Sequence, residues 1–198
     1  DFAPWMILVA LNALMLAGLV LWSAQGANRQ LVEREAEARM QAELDGLTGL
    51  GNRHALRSAA EIMPRDMPYA LMILDFDGFK PVNDRWGHAA GDHLLKSTAN
   101  RLRSLSRSCD KPLRLGGDEF VLLIGGKDAH ARADELEEIA AQTLCVPVNH
   151  DGHIIAVGAS LGFAKAEAGE SIEKALNRAD DAMYVMKDAG RGRQFEVG

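Results

Sequence analysis

The sequence predicts an α/β domain built on a central sheet, with two helical segments before it. From Leu47 onward, apolar strand-like runs alternate with segments of helical periodicity. Two of these runs flank the pair Gly116-Gly117, as in a β-hairpin. The length of 198 residues suits one globular domain plus an appendage, and the net charge of -6 disfavours broad nucleic-acid binding. The two cysteines give neither a disulfide framework nor zinc-ligand spacing.

Residues 3–24 are almost wholly apolar and predict a transmembrane helix. As a helix the segment is about 33 Å long, enough to cross the hydrocarbon core of a bilayer. Trp5 and Trp22 lie near its two ends, where aromatic residues meet the membrane surface. A signal peptide is the alternative, but it is typically shorter and preceded by basic residues. Arginines follow the segment, so we expect its C-terminal side to be cytoplasmic.

Residues 25–44 are charged, lack proline and carry an apolar residue every fourth position in their second half, which predicts a linker helix. A dimeric coiled-coil stalk and a solvated single helix both fit this weak pattern. Asp45-Gly46 ends it. We therefore expect three parts: a transmembrane helix (1–24), a linker helix (25–44) and a globular α/β domain (45–198).

The domain at 45–198 is predicted to alternate between helices and strands. Pro64 ends the first helix of this domain, and the strand predicted at 154–164 contains small residues. The predicted elements are a helix at 52–63, a buried strand at 69–76, a helix at 92–105, a hairpin at 113–124, a helix at about 129–144, a strand at 154–164, a helix at 172–187 and a short strand at 194–197.

The hairpin tip carries two adjacent carboxylates, Asp118 and Glu119. Acidic residues are poor strand formers, so their presence on a buried ribbon indicates a metal-binding or general-base role. The alternative is a tip made acidic for solubility alone. Gly116 and Gly117 have no side chains, which leaves room for a phosphate or sugar to approach the backbone.

A second acidic pair, Asp75 and Asp77, ends the most apolar strand. Alternation along a strand places both side chains on one face, and an unpaired buried carboxylate is costly. Together with the hairpin, Asp75 can supply an oxygen cage for Mg²⁺. For Asp77, a role as a loop cap is equally compatible with the sequence.

Polar residues after these elements offer what a nucleotide needs. Asn83 and Asp92 have the amide and carboxylate that recognise a guanine edge, although Asp92 precedes an apolar-periodic run and also fits a helix cap. Lys187 and Arg191 are four residues apart and can neutralise a triphosphate. Cations near a helix end also complement its dipole, which is the alternative for this pair.

Five segments in the same order resemble one family, the GGDEF-domain diguanylate cyclases. The resemblance covers residues 45–193 and rests on segments 45–53, 75–92, 114–120, 160–162 and 179–191. It implies a mostly antiparallel sheet flanked by helices, as in nucleotidyl cyclases and polymerase palm domains. It also implies a homodimer that condenses two GTP molecules into cyclic di-GMP with Mg²⁺ or Mn²⁺.

The resemblance also implies roles for individual residues. Asp118 and Glu119 would be catalytic, with Asp118 at the position of the family's proposed base. The implied metal ligands are Asp75, the carbonyl of Phe76, Asp118 and Glu119, and the implied substrate-binding residues are Phe79, Lys80, Asn83, Asp92, Gly116, Gly117, Lys187 and Arg191.

Arg107 and Asp110 match the family's Arg-x-x-Asp product-inhibition site, which implies feedback by cyclic di-GMP. A surface ion pair is the alternative for these two residues. For the whole protein we expect an enzyme anchored in the bacterial inner membrane with its catalytic domain in the cytoplasm. The alternative is a catalytically quiet module that senses GTP or cyclic di-GMP.

Overall fold

The computed structural model describes residues 42–188, together with Val9, Met15, Leu16, Gly18, Leu19 and Trp22. The chain divides into two compact units, Asp1–Ala42 and Glu43–Gly198. The elements of the described part of the second unit are α1 (Arg53–Ile62), β1 (Tyr69–Asp77), α2 (Phe79–Leu105), β2 (Lys111–Gly116), β3 (Glu119–Ile124), α3 (Ala129–Leu144), β4 (Val148–His150), β5 (His153–Ile155), β6 (Gly158–Ala166) and α4 (Ile172–Asp188).

Four of the strands form one antiparallel sheet in the order β2-β3-β1-β6. β4 and β5 form a separate two-stranded hairpin. Helices cover both faces of the sheet: α2 and α3 pack on one, α1 and α4 on the other. The predicted α/β fold with an antiparallel sheet flanked by helices is confirmed.

The central strand β1 is buried on both faces because its alternate residues belong to two different cores. Met72 and Leu74 pack with α2 and α3, whereas Leu71 and Ile73 pack with α1 and α4. A strand covered on both sides has no solvent-facing positions, which explains why its sequence is a continuous apolar run. The same alternation places Asp75 and Asp77 on the α1/α4 face.

Two predicted boundaries were wrong. The helix expected at 92–105 begins at Phe79, and residue Gly87 (φ 80°, ψ 165°) kinks it into two segments. The strand expected at 154–164 is divided into β5 and β6, so its first residues belong to the separate hairpin. The first part of the helix contains Pro81 and Gly87, which hide its helical character in the sequence, whereas the apolar run of the strand continues across the break between β5 and β6.

Several predictions lie outside the described residues: the short strand at 194–197, Arg191, and most of the segments at 3–24 and 25–44. Within the described residues, none of the helices combines the length and the apolar character needed to cross a membrane. The six described residues before position 42 are helical. Trp22 and Met15 are each 74% exposed.

Candidate active site

The acidic residues of β1 and the hairpin meet at one end of the sheet. Asp75 is paired across strands with Glu119 on one side and with Ser160 on the other. Residues paired directly across an antiparallel sheet point to the same face. This places the carboxylates of Asp75 and Glu119 side by side on the α1/α4 face, although 44 positions separate them in the sequence.

The hairpin tip has the turn that its glycines predict. β2 ends at Gly116, Gly117 has a φ of 53°, and the pairing resumes between Gly116 and Glu119. The side chain of Arg114 holds this turn, because its Nε and Nη2 donate to the Gly117 carbonyl at 3.0 and 2.6 Å. Arg114, a residue of β2, therefore holds the Gly117 carbonyl in place.

Arg114 also ties the hairpin to the start of the domain. Its Nη1 donates to both carboxylate oxygens of Asp45, at 2.9 and 3.1 Å, and Asp45 accepts two further hydrogen bonds from Thr48. Burial alone raises the pKa of Asp45, but the bonds from Thr48 and Arg114 outweigh it and the pKa is lowered. We did not predict this link from the sequence, because the two partners are 69 residues apart.

The two acidic residues of the hairpin tip, Asp118 and Glu119, have raised pKa values. Burial raises the pKa of Asp118, and repulsion by Asp75 raises it further. Burial also raises the pKa of Glu119, against the attraction of Arg53, whose Nη2 lies 3.8 Å from its carboxylate. Both groups therefore hold their negative charge less readily than free carboxylates, and both gain from a nearby cation.

Lys187 supplies positive charge to this cluster from the last turn of α4. Its Nζ donates to Asp75 Oδ2 at 2.5 Å. Burial alone lowers the pKa of Lys187, but the hydrogen bond and attraction from Asp75 raise it overall. Lys187, the cation predicted on this helix, thus contacts the acidic end of β1. A residue that only complemented the helix dipole would not need this contact.

A close approach of α4 to the sheet makes this contact possible. A Cβ atom on Gly162 of β6 would lie 2.0 Å from the Ala179 carbonyl oxygen and 2.7 Å from the Met183 nitrogen. No side chain fits in that space, so glycine sets the height of α4 above the strand. The sequence contains the signal, a glycine inside an apolar strand, but only the fold shows what approaches it.

Asp77 makes a contact within the sheet. Its Oδ1 accepts from Ser160 Oγ at 2.9 Å, while its Oδ2 is buried and has no partner among the described residues. It is the last residue of β1, and among the described residues its carboxylate accepts no hydrogen bond from a loop backbone nitrogen, so the loop-cap alternative does not describe it. Asp77 lies close enough to the acidic cluster for its charge to raise the pKa of Lys187.

The donor set at this end of the sheet suits a hard divalent cation. Mg²⁺ prefers carboxylate and carbonyl oxygens, and the raised pKa values of Asp118 and Glu119 are those of carboxylates in need of positive charge. In the described part of the chain, however, no three His, Cys, Asp or Glu side chains already form a metal site. Lys187 occupies Oδ2 of Asp75, which leaves Oδ1 of this carboxylate available to a metal ion.

The predicted guanine-recognition residues lie on α2, on either side of the kink. Asn83 packs so closely on Gly91 that a Cβ at Gly91 would lie 2.0 Å from Asn83 Oδ1. The first segment of α2 thereby brings its amide against the residue that precedes Asp92. Asp92 lies inside the helix, five positions after Gly87, and is exposed, so the helix-cap alternative is wrong.

The two other predicted ligand residues of α2 differ in burial. Phe79 stacks on Phe76 with ring centroids 6.1 Å apart and packs against the core. Lys80 is exposed in the first turn of the helix. Phe79 therefore anchors the first turn, while Lys80 extends towards solvent.

The predicted regulatory pair forms a compact network on the β2/β3 side of the domain. Asp110 is buried and accepts from the Arg107 backbone nitrogen at 2.9 Å, from Arg107 Nε at 3.3 Å and from the Gly125 nitrogen at 3.2 Å. Arg107 Nη2 also donates to the Gly125 carbonyl at 3.2 Å. Because the Asp110 side chain is fully buried, the alternative of an ordinary surface pair does not describe this network.

Fold and site together define an α/β domain with an acidic hairpin beside a buried strand end. The family model "Diguanylate cyclase, GGDEF domain" matches residues 42–193. The chain therefore belongs to the GGDEF domain family.

Individual relatives agree. The chain is 39% identical to diguanylate cyclase DgcS of Shewanella oneidensis, over 78% of this chain and 53% of that protein. It is 43% identical to an uncharacterized signaling protein of Caulobacter vibrioides, over 84% of this chain and 22% of that protein. The chain thus spans about a fifth to about half of the length of these curated relatives.

Solved structures show the same fold. The coiled coil and GGDEF domain of DgcB from Caulobacter crescentus, in complex with c-di-GMP, gives a TM-score of 0.70 at 29% identity, covering 89% of this chain and 97% of that one. A sensory box/GGDEF family protein of the same organism gives a TM-score of 0.67 at 39% identity, covering 75% of this chain and 99% of that one.

Proposed function

We propose that this chain is the catalytic part of a diguanylate cyclase. In this reaction the 3′-oxygen of each GTP attacks the α-phosphorus of the other. Two 3′–5′ phosphodiester bonds form, two α–β phosphoanhydride bonds break, and two pyrophosphates and two protons are released. The chain's family and its relatives named diguanylate cyclase support this proposal.

One observation carries the proposal: the pairing of Asp75 with Glu119, beside Asp118 and with Lys187 in contact. Phosphoryl transfer needs groups that bind the phosphates and that accept the proton of the attacking hydroxyl. Burial and Asp75 raise the pKa of Asp118, which makes it a stronger base than a free carboxylate. A hairpin tip that is acidic only for solubility would not need Asp75 and Lys187 beside it.

GGDEF diguanylate cyclases generally depend on a divalent metal ion. We assign its oxygen ligands to Asp75, the Phe76 carbonyl, Asp118 and Glu119. A bound Mg²⁺ or Mn²⁺ would neutralise charge on the phosphates. Lys187 would then be released from Asp75 to face phosphate oxygens.

The remaining ligand residues divide by chemistry. Asn83 and Asp92 would hydrogen-bond the guanine edge, and the contact of Asn83 with Gly91 fixes its side chain beside Asp92. Lys80 and Arg191 would contact phosphates. The other proposed contacts, which line the nucleotide, are Phe79, Gly116 and Gly117.

We also propose that the enzyme acts as a homodimer anchored in the bacterial inner membrane. Each domain offers one GTP site, so two domains must face each other to join two nucleotides. The transmembrane helix at 3–24 and the linker at 25–44 would control that meeting. The exposed apolar side chains of Val9, Leu16 and Leu19 are compatible with a lipid-facing helix.

Finally, we propose that cyclic di-GMP inhibits the enzyme at Arg107 and Asp110. Asp110 is buried and fully occupied by hydrogen bonds, so it would act mainly by holding Arg107. The guanidinium of Arg107 is partly exposed and would bind the anionic product. A structural neighbour, DgcB of Caulobacter crescentus, has been solved in complex with c-di-GMP, which supports this proposal.

The test is to incubate the purified chain with GTP and Mg²⁺ and to separate the products by nucleotide chromatography. We expect cyclic di-GMP and pyrophosphate from the native chain, and a loss of about 100-fold or more in Asp118→Asn. The matched control is Asp134→Asn, an exposed carboxylate in an ion pair with Lys165, which should retain activity. GTP binding without a cyclic product would instead support the sensor alternative.

A further inference from the structure

One partner of Arg107 is not part of the predicted regulatory pair. Arg107 Nη1 donates to Asp128 Oδ2 at 2.7 Å. Asp128 precedes the first residue of α3, and no sequence pattern links it to Arg107, 21 positions away. The contact therefore needs an explanation separate from the Arg-x-x-Asp motif.

The guanidinium of Arg107 has an inner and an outer side. On the inner side, Nε and Nη2 donate to Asp110, and Nη2 also to the Gly125 carbonyl. These bonds fix the plane of the group. On the outer side, Nη1 is left, and its partner among the described residues is Asp128. An arginine offers two N–H groups at this nitrogen, so Asp128 takes one of the two donors that remain for a ligand.

The two acidic partners also differ in exposure. The Asp110 side chain is fully buried, whereas the Asp128 side chain is 65% exposed. Asp110 is therefore part of the buried structure that holds Arg107. Asp128 contacts Arg107 from the solvent side, which is also the side from which an anionic ligand would approach. The Asp128 side chain makes no capping hydrogen bond to α3.

We propose that Asp128 competes with cyclic di-GMP for Arg107 and so sets the product concentration at which inhibition begins. This inference rests on the proposed inhibition at Arg107. A phosphodiester that binds Nη1 must displace the Asp128 carboxylate or accept repulsion from it, and either event weakens binding. The hydrogen bond from Arg107 lowers the pKa of Asp128, so the competitor stays charged at neutral pH.

The experiment measures the Kd of cyclic di-GMP by calorimetry, on the full chain in detergent at fixed ionic strength. In Asp128→Ala we expect binding to tighten about two- to five-fold, the range expected from losing one exposed ion pair. The inhibition constant should fall by the same factor, with uninhibited turnover unchanged. Asp128→Asn keeps the size of the side chain without its charge and should show the same direction.

Two further variants isolate the mechanism. Asp134→Ala removes an exposed carboxylate and its ion pair from the same helix, and it should leave the Kd unchanged. In the double variant Arg107→Ala with Asp128→Ala, the gain should vanish, because Asp128 acts only through Arg107. Equal tightening in Asp134→Ala would reveal a general charge effect and overturn the proposal.

The outcomes also separate this inference from the proposed function. If Arg107→Ala weakens binding but Asp128→Ala leaves it unchanged or weaker, Asp128 is not a competitor while the inhibitory site stands. If Arg107→Ala leaves binding intact, the inhibitory site itself is wrong and the inference falls with it. Cyclic product formation, which is measured separately, does not depend on either result.

Discussion

At the residue scale, the carboxylates of the acidic cluster are positioned for a ligand at the expense of the stability of the folded domain. Asp118 is held in a partly buried position beside Asp75, and both effects raise its pKa. A carboxyl group with a raised pKa favours the folded state when it is protonated and disfavours it when it is charged. At neutral pH the ionised Asp118 therefore works against folding, as expected for a group positioned for a ligand rather than for the core.

This predicts that Asp118→Asn stabilises the metal-free chain at about pH 7.5 while abolishing turnover. The stabilising contribution of protonated Asp118 is fully present below its unfolded pKa of about 3.8 and is lost as the pH rises through the raised folded pKa. The advantage of the variant should consequently shrink towards about pH 4.5. Urea unfolding at both pH values measures the difference in the free energy of unfolding between Asp118→Asn and the native chain. A variant less stable than the native chain at neutral pH would contradict the assignment.

At the element scale, the position of α4 decides whether Lys187 meets Asp75. Gly162 allows the helix backbone to rest directly on β6. Arg114 performs a comparable task for the hairpin, because it joins the Gly117 carbonyl to Asp45 at the start of the domain. Two elements that carry charged site residues are thus fixed by contacts outside the site.

Gly162→Ala should destabilise the domain by about 1–3 kcal/mol, because the new methyl group overlaps backbone atoms of α4 that have no flexible end to move. It should also lower turnover by displacing Lys187. Chemical denaturation and the cyclase assay measure the two effects. The control is Gly46→Ala, where a Cβ meets nothing within 4 Å, and which should cost much less. Equal losses in both variants would rule out this account of α4.

At the scale of the whole molecule, the proposed reaction needs two copies of the domain. A single domain offers one acidic cluster and one pair of proposed guanine-recognition residues, Asn83 and Asp92, whereas the proposed product contains two nucleotides. The proposed catalytic step would therefore depend on how two domains meet, and the helices predicted from the sequence before residue 45 would control that meeting.

We predict that specific activity rises with protein concentration and reaches a plateau once the chain is dimeric. GTP binding per chain should not change over the same range, since each domain binds its nucleotide alone. Enzyme dilution combined with light scattering measures both quantities. A specific activity independent of concentration, in a chain shown to be monomeric, would contradict the requirement for two domains.

The sequence alone determined the kinds of chemical groups and their local settings. An apolar run ending in Asp75 predicts a buried strand with a carboxylate at its end, and Gly116-Gly117 predicts a turn that carries Asp118. These are properties of a few neighbouring residues, so a linear pattern is enough to state them. The same local logic placed α1 and α3 within a residue of their observed ends.

Only the tertiary structure decided which of these groups meet. Lys187 and Asp75 are 112 residues apart, and their contact follows from the height of α4 above β6. The pairing of Arg107 with Asp128 follows in the same way from where α3 begins beside the β3 end. Such contacts depend on how closely packed elements approach each other, and that distance is a property of the assembled core rather than of any segment of the chain.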